Sequence, residues 1–117
     1  MSEENKTIFG KIIRGEMPSE KVYEDDEVLA FKDINAAAPT HILVIPKKHI
    51  VNLFDADEGD TQLLGKLMQT ARKVAIEQGL EDDGFRLVVN NGAGVGQTVF
   101  HLHVHVLGGR DFSWPPG

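Results

Sequence analysis

From Phe100 to Leu107 the chain reads Phe-His-Leu-His-Val-His-Val-Leu, an alternation of apolar residues with three of its five histidines. Successive side chains of a strand point to opposite sides, so a period of two belongs to extended backbone in a sheet. The pattern predicts a strand over 97–107 that buries Phe100, Leu102, Val104 and Val106 on one face and aligns His101, His103 and His105 on the other. Imidazoles two residues apart lie about 6.6 to 6.8 Å apart along such a strand, close enough to surround one phosphate-sized group.

A strand of this kind needs a sheet and a covering layer, and the remaining segments supply both. Thr7 is a good N-cap, and Phe9, Ile12 and Ile13 follow at helical spacing before Gly15 and Pro18 stop the run, which predicts a first helix over 7–15. Val22-Tyr23 and Val28–Phe31 flank the acidic run 24–27 as a hairpin would, and the run itself reads as a solvated turn. His41–Ile45 is continuously apolar after its histidine, is led in by 36–40 and is closed by Pro46, as expected of an internal strand. Leu63, Leu64, Leu67, Met68, Ala71, Val74 and Ala75 recur at the 3.6 period, giving a main helix over 57–79 that ends at a Gly79 cap. Phe85–Asn90 reads as a further strand, followed by a loop punctuated by Gly92, Gly94 and Gly96. The sum is an α+β domain over 1–117, a five-stranded antiparallel sheet with two helices packed on one face, and a tail over 111–117 that carries the single Trp.

Charge narrows the partners. Twelve basic residues against eighteen acidic ones give a net −6, which disfavours polymeric nucleic acid and anionic membranes while leaving room for a small anion held locally. The absence of cysteine removes disulfides, thiolate zinc sites and thiol nucleophiles. The polar start Met1–Lys6 lacks the apolar stretch of a leader and no run approaches ~18 apolar residues, so a cytoplasmic protein with no membrane partner is expected.

Three readings of the histidines are open. They can decorate a solvated sheet face, though three in register beside a glycine-rich loop fit that poorly. They can hold a metal, but no acidic residue lies within the strand and His41 and His49 add no recognisable ligand spacing. Or a neutral imidazole can attack phosphorus, with its neighbours holding oxygens and passing a proton to the leaving group, which needs neither metal nor cofactor.

The segment His101-Leu102-His103-Val104-His105-Val106-Leu107 resembles the signature of the histidine triad superfamily of nucleotidyl hydrolases and transferases. Further segments resemble its Hint branch, the histidine triad nucleotide-binding proteins: Thr7–Ile13, Ala30–Ile34, Ala38–His41, Val44–His49, Gly96-Gln97, Gly108–Arg110 and Trp114–Gly117. The resemblance implies that His103 is the nucleophile, that His105 lies near the phosphate oxygens, and that His101 forms a hydrogen-bonded relay with His41. It implies phosphate and leaving-group contacts from Asn90, Gly96, Gln97 and Thr98, ribose contacts from Asp33 and Ile34, and a base pocket lined by Phe9, Ile12 and Phe31. Thr98 stands where many relatives have Ser. The implied activity is hydrolysis of purine nucleoside phosphoramidates through a nucleotidyl-histidine, releasing AMP or GMP. The alternative is a purine-nucleotide-binding interaction module with incidental hydrolysis. A homodimer with one ten-stranded sheet is implied, and the Trp114 tail is expected to reach the neighbouring site. Because the nucleophile must be neutral, activity is expected to fall as pH drops through the imidazole range near ~6.5, shifted by neighbours.

Overall fold

A computed structural model describes residues 5–117, so Met1 to Glu4, most of the polar start on which the absence of a leader was read, lie outside the described residues. Helix α1 spans Ile8–Ile13; the Thr7 hydroxyl oxygen accepts from Gly10 N at 3.1 Å and caps it. Strands β1 (Lys21–Glu24) and β2 (Val28–Lys32) form the expected hairpin. Asp25 Oδ1 closes its turn by accepting from Glu27 N at 2.8 Å and Val28 N at 3.0 Å, so the acidic run is turn chemistry.

Strand β3 (Thr40–Pro46) leads through two 3-10 turns into helix α2 (Thr61–Glu77). Asp57 and Asp60 form a capping box just before α2. At its far end Gly79 takes φ 78°, a left-handed value that L side chains resist, and lets Leu80 N reach Ala75 O at 3.0 Å. Strands β4 (Phe85–Val88) and β5 (Val104–Gly108) complete an antiparallel sheet of order β1-β2-β3-β5-β4.

The helices lie on opposite faces, which corrects the expectation of one covered face. Val28, Ala30, Ile42, Val44, Val104 and Val106 pack under α2, while Leu29, Phe31, Leu43 and Ile45 pack with Phe9 and Ile12 of α1. The period of two in β2 and β3 divides these residues. Their hydrophobicity alone assigned no helix to a face. Burying Phe9 and Ile12 contributes about 1.5 to 3 kcal/mol each and fixes α1 over the sheet.

The histidine strand is shorter than expected. Only Val104–Gly108 joins the ladder, and Phe100, assigned to the core from sequence, is 47% exposed. The last β3–β5 pair is Val44 with Val104. Beyond it β3 offers Pro46, which has no N–H to give, and Leu102 N donates instead to Ile50 O at 2.6 Å. The alternation nevertheless persists, with Leu102, Val104 and Val106 all buried.

Candidate active site

The β3–β5 register places Leu43 opposite His105 and His41 opposite Leu107. Leu43 faces α1, so His41, two residues earlier, and His105 share that face. The side chains of His101 and His103 are buried just before β5 begins, with only 0% and 6% of each residue exposed.

Hydrogen bonds assign the proton on each ring. His103 Nδ1 lies 2.7 Å from the carbonyl oxygen of His101, which can only accept, so Nδ1 carries the proton and Nε2 keeps its lone pair. Ala37 N donates to His41 Nδ1 at 2.9 Å, so the His41 proton sits on Nε2 and is donated to His105 Nδ1 at 2.8 Å. His105 therefore carries its own proton on Nε2. The result is a lone pair on His103 beside a donor on His105, in rings whose centroids are 4.9 Å apart. Asp33 Oδ2 lies 3.4 Å from His41 Nε2 and flanks the pair.

Burial disfavours the charged form of each of these rings. It lowers the pKa of His105 to about 4, assisted by His103 and His41 and opposed by Asp33. His103 is likewise lowered by burial, against the raising effects of its bond to the His101 carbonyl and of Asp33. His41 is lowered by burial against Asp33. His101 falls to about 4, again through burial first, with the Pro46 carbonyl opposing and His49 and His103 assisting.

The expected relay between His101 and His41 is absent; His41 pairs with His105. Both ring nitrogens of His101 are engaged elsewhere, Nδ1 with Asn5 Nδ2 at 2.8 Å and Nε2 with Pro46 O at 2.7 Å. His101 sits before the ladder, whereas His105 is on β5 directly beside β3.

A cavity of about 300 Å³ opens in front of His103 and His105. Phe9, Ile12, Phe31, Asp33, Ile34 and Thr98, all singled out from sequence, line it. Phe9 meets the His103 ring edge-on at 5.0 Å. Ile8, Met17, Pro18, Ser19, Lys32, Asn35, Leu43 and Val99 complete the wall without having been assigned to it from sequence. Met17 and Val99 carry only a generic apolar signal, and Pro18 read as a helix stop. Ser19 Oγ is the buried side-chain polar atom that, among the described residues, has no hydrogen-bond partner.

Asn90, Gly96 and Gln97 are not part of this wall. Gln97, 2% exposed, braces the glycine loop: its Oε1 accepts from Gly92 N at 2.9 Å and its Nε2 donates to Val51 O at 2.6 Å and Val99 O at 3.2 Å. Its side chain is thus committed to the loop. Asn90 Nδ2 lies 3.8 Å from where a Cβ on Gly96 would stand, so Asn90 underlies the same loop. Asp33, His41 and His105 bring three potential metal-donor atoms within 4.8 Å of one another, a grouping that sequence spacing did not reveal. No helix among the described residues is long and apolar enough to cross a membrane.

The family model described as the HIT domain matches residues 14–112. A HIT-like protein of Synechocystis sp. is 61% identical over 111 residues, covering 95% of this chain and 96% of its own length. A 14 kDa zinc-binding protein of Brassica juncea is 54% identical over 113 residues, covering 95% of this chain and 99% of its own. Among solved structures, a HIT family hydrolase from Legionella pneumophila superimposes with a TM-score of 0.92 at 49% identity, covering 94% of this chain and 98% of that one.

Proposed function

The chain belongs to the HIT domain family, and from that premise we propose that it is a nucleotidyl hydrolase of the Hint type that cleaves purine nucleoside phosphoramidates. One observation carries the reading. The His103 Nδ1–H bond to the His101 carbonyl leaves an Nε2 lone pair at a cavity whose other walls include an apolar slot of Phe9, Ile12 and Phe31 and the Asp33 carboxylate. An apolar slot suits a base, and a carboxylate accepts from a pair of ribose hydroxyls. The name of the Legionella relative, a HIT family hydrolase, points the same way.

In the proposed reaction His103 Nε2 attacks the α-phosphorus and the P–N bond breaks. The departing amine takes the proton from His105 Nε2, which His41 supports by donating to His105 Nδ1. Water then attacks the nucleotidyl-histidine, the N–P bond breaks, and its proton returns to His105 while AMP or GMP leaves. Overall one P–N bond is exchanged for one P–O bond at the expense of a water, and neither metal nor cofactor takes part. Phe9, Ile12 and Phe31 hold the base in this reading, Asp33 and Ile34 the ribose, and Thr98 with backbone around Gly96 and Asn90 the phosphate. His101 acts through its carbonyl, and Gln97 through the loop it braces.

We extend the proposal to a cytoplasmic homodimer. Among the described residues strand β4 pairs only with β5, which leaves its outer edge open, and Phe85 on β4 and Met68 on α2 are exposed at 42% and 53%. An open edge beside apolar side chains is a surface for pairing with a second copy into one ten-stranded sheet. Sedimentation at micromolar concentration should give twice the chain mass; a monomer there rejects this part. The exposed tail at Trp114 is proposed to reach the neighbouring site. Removing 111–117 should then alter relative rates across amines, and unchanged ratios contradict it.

The name of the Brassica juncea relative and the Asp33–His41–His105 grouping favour zinc binding as a second reading. Against it, the two imidazoles are hydrogen-bonded at 2.8 Å, closer than the ~3.3 Å that two nitrogens on a tetrahedral zinc keep. Turnover of adenosine phosphoramidate in excess EDTA separates the readings: undiminished rates support imidazole chemistry, and loss restored by zinc rejects it.

A further inference from the structure

We infer that Asn5 is a positioning residue for His103, acting through His101. The inference rests on the proposed role of His103 and extends it to a residue outside both the triad and the cavity wall.

The orientation of the Asn5 amide is set by Thr7. Asn5 Oδ1 accepts from Thr7 N at 3.1 Å and from Thr7 Oγ1 at 2.7 Å, and Thr7 Oγ1 in turn accepts from Gly10 N. The oxygen is therefore turned to the start of α1, and the NH₂ group is the one that meets His101 Nδ1 at 2.8 Å. An amide NH₂ only donates, so His101 Nδ1 must be the unprotonated nitrogen and Nε2 must carry the proton, which goes to Pro46 O at 2.7 Å. Both nitrogens of His101 are thus held, one from the start of α1 and one from the end of β3. The carbonyl of this doubly held residue is the group that accepts His103 Nδ1–H. Two side-chain hydrogen bonds and one short stretch of backbone connect Asn5 to the tautomer on which the nucleophile depends.

A second feature of the chain serves the same contact. A Cβ at Gly10 would come within 3 Å of the carbonyl oxygen, Cγ and Oδ1 of Asn5, so only glycine lets Asn5 lie against α1. Arg14 Nη1 also donates to the Asn5 carbonyl oxygen at 2.6 Å. The segment before α1 is held from the helix it precedes, with its amide presented to His101.

Asn5→Asp separates this role from helix capping. A carboxylate keeps both acceptor bonds to Thr7 but has no N–H to give to a neutral His101 Nδ1. Asn5→Ala removes both functions. Nitrogen-15 NMR of wild type should show His101 protonated at Nε2 alone and His103 at Nδ1 alone. In Asn5→Asp, His101 Nδ1 should become protonated. For turnover of adenosine phosphoramidate, both variants should lose about tenfold in kcat with KM within about twofold, since Asn5 does not line the cavity. Thermal stability should fall in both variants, in Asn5→Asp through the lost bond to His101 alone and in Asn5→Ala through the contacts to Thr7 as well.

Wild-type kcat in Asn5→Asp would overturn the inference, as would a wild-type His101 protonated at Nδ1; the latter needs no variant to fold. Should His103→Ala turn over like wild type, the proposed nucleophile and this inference fall together. Loss in His103→Ala with full activity in both Asn5 variants removes only the role of Asn5.

Discussion

His41 Nε2 and His105 Nδ1 lie 2.8 Å apart although 64 positions separate them in sequence. Because Ala37 N occupies the other nitrogen of His41, the proton in this bond can come only from His41, and His105 is left with a proton to give. His41→Ala removes that constraint on the proton donor while leaving the His103 lone pair intact. Its kcat should fall about 10²-fold for an alkylamine leaving group, which needs the proton, and much less for a weakly basic aryl leaving group. Equal losses across leaving groups, measured by steady-state rates, would contradict this assignment.

Burial of neutral imidazoles links stability to pH. His101 and His105 titrate at about 4 in the folded chain against ~6.5 unfolded. The unfolded state therefore binds more protons between these values, and stability should fall as pH drops from ~6.5 toward ~4 and be level above ~7. His41 and His103 are shifted in the same direction and add to the effect. The acid limb of kcat/KM should accordingly lie below ~6.5, which gives the shift by neighbours the direction that the sequence leaves open. Urea unfolding from pH 4.5 to 8 and rates over the same range check both; a constant unfolding free energy contradicts the first.

Ser19→Ala tests the unpartnered hydroxyl in the cavity wall. In the empty protein the substitution should stabilise by about 1 kcal/mol, because it removes a buried group that has lost water without gaining a partner. With AMP bound, whose base edge can supply that partner, the gain should shrink. Melting temperatures with and without AMP read the two effects, and destabilisation of the empty protein would contradict the first.

Gln97→Ala should cost about 2 to 3 kcal/mol, since it leaves Gly92 N and the Val51 and Val99 carbonyls without their partner. Gln97→Glu keeps the acceptor but sets a buried carboxylate oxygen against the Val51 and Val99 carbonyls, and should cost at least as much at neutral pH. Chemical denaturation measures this, and a change below about 0.5 kcal/mol for Gln97→Ala would show that water replaces the side chain.

Much of this architecture is legible in the sequence because it follows from local periodicity. Thr7 caps a short helix, the stripe from Leu63 to Ala75 makes the long one, and alternation before Leu107 marks a strand with imidazoles on one face. What escaped is what register decides. Nothing local distinguishes His101 from His105 as the partner of His41; the pairing of Leu43 with His105 does. Likewise the side on which α1 packs depends on whether Phe9 meets Leu29 and Phe31 or the opposite row. The family resemblance gives Gln97 as a phosphate contact, and what it could not convey is that the buried side-chain amide braces backbone at Gly92, Val51 and Val99. Asn5 carried no signal at all, since its partner is 96 positions away.

The most direct test is intact-mass analysis of protein quenched during turnover of adenosine phosphoramidate in excess EDTA, for wild type and His103→Ala. The expected result is a single transient adenylyl adduct on wild type, and neither adduct nor turnover for a folded His103→Ala protein. An adduct or wild-type turnover in His103→Ala, or turnover in wild type that never passes through an adduct while P–N cleavage is shown to be fast, would remove His103 Nε2 as the nucleophile.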